Sequence, residues 1–99
     1  MKTKKVSIEG AEYTIRRWTV ADRMEFLKMA EEAKDLGARE VYEKQLEIIA
    51  RNTGLTKEEL MKMDGVAADL LLKEILEFNT PPLDLGAASQ KRSTEAQQR

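Results

Sequence analysis

Over the first eighteen residues apolar and polar positions alternate; beyond them they recur every three or four. Lys4 to Trp18 carries the two-residue period of a β-hairpin. A two-residue turn at Gly10 and Ala11, glycine first, sets Ile8 opposite Tyr13 and Val6 opposite Ile15. Those four side chains then share one face. The other face sets Lys5 against Arg16, with Glu9 facing Glu12 at the turn. That like-charge pair costs roughly a few tenths of a kcal/mol and favours a longer loop. A lone hairpin is marginal in water, so this one must pack on the helices beyond it.

The helical period begins at Thr19, which with Asp22 forms an acidic capping box. From Val20 to Leu36, Val20, Met24 and Leu27 lie together, while Phe26, Met29, Ala30, Ala33 and Leu36 carry the apolar arc beyond half the circumference. A surface helix needs a stripe of about 100° or somewhat more, so this helix has more than its own domain uses. Gly37 is expected to end or bend it. A second helix, about Ala38 to Asn52, sets Val41, Tyr42, Gln45, Leu46, Ile48 and Ile49 on one side, and Glu40–Lys44 and Glu47–Arg51 pair on the other.

The stretch TGLTKEELMKMDGVAADLLLKEILEFN is the most self-consistent part of the chain. Gly54 suits the left-handed residue that ends a helix, with Leu55 folding back on the last turn. Thr56 and Glu59 make a capping box, and Leu55 and Leu60 a hydrophobic staple. A short helix is expected from Lys57 to about Met63, after which Asp64 caps a longer one. In that last helix Ala67, Ala68, Leu71, Leu72, Ile75, Leu76 and Phe78 cover about half the circumference, and Val66 and Leu70 add to the other half. Asn79 suits its end, and Pro81 with Pro82 stops it. Residues 86–99 show no apolar periodicity and read as a disordered tail. The expected fold is mainly α with a small N-terminal β-hairpin: a bundle of three to four helices in one domain over residues 1–85.

Charge is unevenly distributed. Residues 1–18 carry five basic and two acidic side chains, net +3; residues 19–80 carry nine and fourteen, net −5. The whole chain is −1, which makes no case for a nucleic-acid binder. A basic hairpin with Lys5, Arg16, Arg17 and an aromatic at Trp18 or Tyr13 could still meet phosphate and stack bases. The acidic body behind it makes a solvated outer face the simpler reading. About 80 folded residues are near the lower limit of independent stability, so a partner or self-association is compatible with the size. No run reaches the roughly 20 apolar residues of a membrane helix, and the N-terminus lacks the apolar core of a signal peptide. A cytoplasmic protein is expected.

The sequence contains no His and no Cys, hence neither the commonest general base nor the commonest thiol nucleophile or zinc ligands. Its glycines are scattered singly, with no phosphate-binding loop. Adjacent acids such as Glu31–Glu32 and Glu58–Glu59 point apart on a helix. No enzymatic activity, catalytic residue, metal or cofactor is expected.

The segments KVSIEGAEYTIRRWTVAD and IIARNTGLTKEELMKMDGVAADLLLKEILEFN, in this order, resemble the small tail assembly chaperones of long-tailed bacteriophages and their prophage relatives. The resemblance spans about Val6 to Leu85. It is one of layout and of phrases such as TGLTKEEL, without an invariant site. It implies a non-enzymatic assembly factor in the host cytoplasm, not retained in the mature virion. Such a protein holds the helical tape measure protein soluble and gives way as tail tube subunits are recruited. The residues expected to contribute to a client surface, from their helical positions, are Phe26, Met29, Leu36, Leu72, Leu76 and Phe78. The alternatives are a small nucleic-acid-binding regulator and a structural head–tail connector.

Overall fold

The computed structural model describes residues 2–80. The expected tail over residues 86–99, and the last five residues of the expected domain, lie outside them. Strands β1 (Thr3–Ile8) and β2 (Ala11–Arg16) form an antiparallel hairpin. Helix α1 (Val20–Glu32) comes next and tightens into a 3-10 turn (Ala33–Asp35). Then come α2 (Ala38–Thr53), the one-turn α3 (Lys57–Met61) and α4 (Gly65–Asn79). The mainly helical fold with an N-terminal hairpin is as expected.

The hairpin turn differs from the one expected. Glu9 and Gly10 occupy its two central positions, both at positive φ (48° and 87°), and Ile8 pairs with Ala11, Val6 with Tyr13 and Lys4 with Ile15. Two consecutive residues at positive φ are what a type I′ turn needs, and its twist matches that of the strands. This register removes Glu9 from the ladder, so the repulsion with Glu12 never arises; Glu12 faces Ser7 instead. Across the other face Lys5 meets Thr14 and Arg16 meets Thr3. Every partner has moved by two residues, an even slip, so the same side chains still point the same way. Val6, Ile8 and Ile15 are buried and Tyr13 is half-buried against them.

That face lies on α2 and α4, with β2 against α2 and β1 against α4. Leu46 and Ile49 come from α2, Leu60 from α3, and Ala67, Ala68, Leu71 and Ile75 from α4. Ile15, Leu71 and Ile75 are fully buried, at 0% exposure. Helix α1 contributes nothing to this cluster and meets the other elements only sparsely.

The caps follow the sequence with one exception. Thr56 Oγ1 accepts from Glu59 N (3.0 Å) while Thr56 N donates to Glu59 Oε1 (2.9 Å). Asp64 Oδ2 accepts from Ala67 N at 3.0 Å. Gly54 is left-handed at φ 83° and ends α2, its N–H reaching Ala50 O at 2.9 Å. Gly37 is the exception. At φ −76° and ψ 168° it is an extended N-cap of α2, donating its N–H to Glu40 Oε1 (3.2 Å), and not a left-handed stop for α1. The 3-10 turn has already ended α1 before Gly37 is reached, so no residue at positive φ is needed there.

Two buried asparagines hold the hairpin to the helices. Asn52, in the last turn of α2, accepts from Arg16 N and donates to Arg16 O, both at 2.9 Å. Asn79, the last residue of α4, accepts from Trp18 N at 2.6 Å and donates Nδ2 to Arg16 O (3.2 Å) and Ile75 O (2.9 Å). The chain leaving β2 therefore has its buried amides and a carbonyl satisfied by side chains rather than by a third strand.

Candidate docking surface

Helix α1 starts at a complete capping box: Thr19 Oγ1 accepts from Asp22 N (3.1 Å), and Asp22 Oδ2 accepts from Thr19 N (3.0 Å). The Asp22 carboxylate also faces Arg16 (3.7 Å) and Arg51 (3.6 Å). Its pKa is held below the usual carboxylate value, first by the Thr19 backbone N–H; the Thr19 hydroxyl and the two guanidiniums act in the same direction, and partial burial opposes them. Next to this polar anchor, Trp18 and Phe26 stack with centroids 5.1 Å apart. Phe26 and Met29 line a narrow cleft facing Ile48 and Asn52 of α2. A charged knot and one apolar cleft thus attach α1 to the fold.

Its outer side is different. At 100° per residue, Val20, Met24 and Leu27 fall within about 60° of one another, and Met29 lies about 180° from Val20. The three outer side chains are 78%, 67% and 55% exposed. Spacing of i, i+4, i+7 is the seam by which one helix meets another. A second apolar area is a groove of about 510 Å³ between α2 and α3, with Tyr42 and Met61 at its mouth, Leu46, Ala50 and Leu60 in its floor, and Arg39, Glu43, Glu47 and Lys57 around it. Val66 and Leu70 are exposed on α4.

Of the six residues expected at a client surface, Met29 is buried and the other five are half-buried. Met29 is buried by its own chain, because the α1 face that carries it is the one turned toward α2. Phe26 is half-buried under Trp18, and Leu36 is half-buried just beyond the 3-10 turn. Leu72 and Phe78 are half-buried at the edge of the core cluster, and Leu76 is half-buried on α4. The structure brings Phe26 and Met29 together, and does not join them to the α4 residues in one surface. Helical position alone does not choose between the two sides of α1. The signal for that choice lies in the grouping of Val20, Met24 and Leu27 on the side opposite Met29.

Part of the hairpin's basic surface is engaged within the fold. Arg16 donates to Arg51 O (3.0 Å) and faces Asp22, and Arg17 lies 4.3 Å over the Phe78 ring. Trp18 is turned inward onto Phe26. Stacking of a base on Trp18 would require breaking that packing. Among the described residues no helix is long and apolar enough to cross a membrane, and no group of three or more His, Cys, Asp or Glu side chains is placed to hold a metal ion.

Fold and surface define a small helical protein with an N-terminal hairpin, one of whose helices carries an uncovered apolar seam. No protein-family model matches the chain, and no curated protein or solved structure is significantly similar to it.

Proposed function

We propose that this protein is a non-enzymatic holding protein that binds an amphipathic helix of a protein client. In particular, we read it as a tail assembly chaperone of a long-tailed phage or prophage. Its client would be the helical tape measure protein, kept soluble until tail tube subunits arrive. The observation that carries the reading is the exposed Val20–Met24–Leu27 seam on the helix least engaged with the rest of the fold. Its opposite side is already docked, so α1 can bridge its own domain and a second helix without repacking the core. The acidic helical body keeps such a complex soluble, and many copies along one client gain avidity from modest individual contacts. The layout shared with that chaperone family supplies the identity of the client.

The test is co-expression with a tape measure protein from a long-tailed phage, followed by co-purification. Wild type should hold the client in the soluble fraction. Met24→Glu should lose the client while keeping its unfolding midpoint, since Met24 touches water and not core. Client recovery unaffected by Met24→Glu and by Leu27→Glu would sink the reading.

A further inference from the structure

The seam of α1 does not end in neutral surface. Arg23 is three residues from Val20 and four from Leu27, so it borders the seam directly. Its Nη2 reaches across to Asn79 O at 2.6 Å. There it joins Arg17 and Lys4 around a recess of about 540 Å³ whose apolar wall is Phe78. Lys4 has a carboxylate, Glu74, at 4.0 Å. Neither Arg17 nor Arg23 has one within ion-pair distance among the described residues, although Glu77 also lines the recess. The Arg17 Nε is buried and has no hydrogen-bond partner among the described residues. Arg16 and Arg51, by contrast, share Asp22. Two guanidiniums with no carboxylate partner among the described residues thus stand beside an apolar seam, on an otherwise acidic body.

We infer that the seam and the recess form one docking surface for a client helix whose apolar stripe is flanked by carboxylates. The inference rests on the client-holding reading and adds the chemistry of the partner. Leucine-type side chains cover Val20, Met24 and Leu27, and an Asp or Glu about one turn away enters the recess between Arg17 and Arg23. A planar guanidinium fork favours a carboxylate there, and the aromatic wall lowers its exposure to water. The electrostatic part selects which helix binds, while the apolar part holds it.

Synthetic amphipathic helices with one leucine seam, flanked by Glu, Gln or Lys, test this against the full chain by titration of the Trp18 fluorescence. At low salt the Glu-flanked helix should bind about tenfold tighter than the Lys-flanked one, from a few partly exposed charge pairs. The gap should narrow at 1 M salt, where screening acts over about 3 Å. Arg17→Gln with Arg23→Gln should level the series, and Arg17→Gln alone should halve the preference if loss of the Arg23–Asn79 contact unfolds the double variant. Met24→Glu should abolish binding of all three helices. Equal affinities across the series would overturn the inference. So would tighter binding of a short DNA duplex than of the Glu-flanked helix. A seam buried by self-association at the titration concentration, seen by sedimentation, would also overturn it. Client retained in the soluble fraction without any charge preference would sink this inference alone; loss of client retention as well would sink both.

Discussion

Helices α1 and α4 have similar lengths, and each begins at a side-chain cap, but they belong to the fold in opposite ways. Helix α4 sends Ala67, Ala68, Leu71 and Ile75 into one cluster against the hairpin and α2. These four are spaced to fall on one side and are buried, while Val66 and Leu70 on the other side stay exposed. Helix α1 divides its apolar residues between two sides: Phe26 and Met29 face inward and Val20, Met24 and Leu27 face water. The contrast teaches that the amount of apolar surface on a helix and the amount its own fold consumes are separate quantities. A helix that sends most of its apolar side chains to one side completes a core. A helix greasy on two opposite sides joins a core to something else.

The comparison breaks most readily at the core positions. Leu71→Ala or Ile75→Ala should cost about 2–5 kcal/mol through lost burial and a residual cavity. Leu27→Ala should stay within about 0.5 kcal/mol, as surface changes do. Denaturant unfolding followed by Trp18 fluorescence measures both; comparable costs would mean that α1 is as integral as α4.

The next effect is at the junction. Asn79→Ala leaves Trp18 N–H without its acceptor and removes a donor from Arg16 O, so about 1–3 kcal/mol should be lost. Asn79→Asp keeps the acceptor but turns a buried carboxylate oxygen toward Arg16 O and Ile75 O, so it should recover none of that stability at neutral pH in the same unfolding curves.

Caps sharpen the contrast further. Thr19→Ala and Asp64→Ala each delete one N-cap bond worth about 1 kcal/mol. Amide hydrogen exchange should show the first as faster exchange confined to α1, and the second as a drop in the global unfolding free energy. Equal spread of both effects through the fold would contradict a lightly attached α1.

The smallest effect is pH dependence. Because the folded Asp22 carboxyl has a lowered pKa, its contribution is fully present above its unfolded value of about 3.9 and is lost as pH falls through the lower folded value. Below about pH 4 the amides of α1 should therefore lose protection before those of α4, and Asp22→Asn should remove that difference.

Most of the fold was legible because its instructions are local. Thr56 with Glu59, Asp64, and Gly54 each act within four residues, and period two followed by period 3.6 separates the hairpin from the helices. The hairpin turn was misplaced because Glu9 adopts a left-handed conformation that sequence rules assign to glycine, asparagine or aspartate. The surface was only half legible. The excess on α1 could be counted from its residues, but the side facing α2 depends on the sparse contacts made after the chain has turned at Gly37. Asn52 and Asn79 were not legible as structural residues because they act over 36 and 63 positions on Arg16. Each precedes a threonine at the end of a helix, and that repeated Asn–Thr pair is the signal they left.

Asn79 closes a loop that starts near the beginning of the polypeptide, since it binds Trp18 from 61 positions away. On a translating ribosome the strand exit at Arg16 and Trp18 must therefore wait for nearly the whole helical body to be made. Until that last helical residue emerges, the nascent hairpin lacks one of its two polar anchors, so it is fully secured only once α4 has been made.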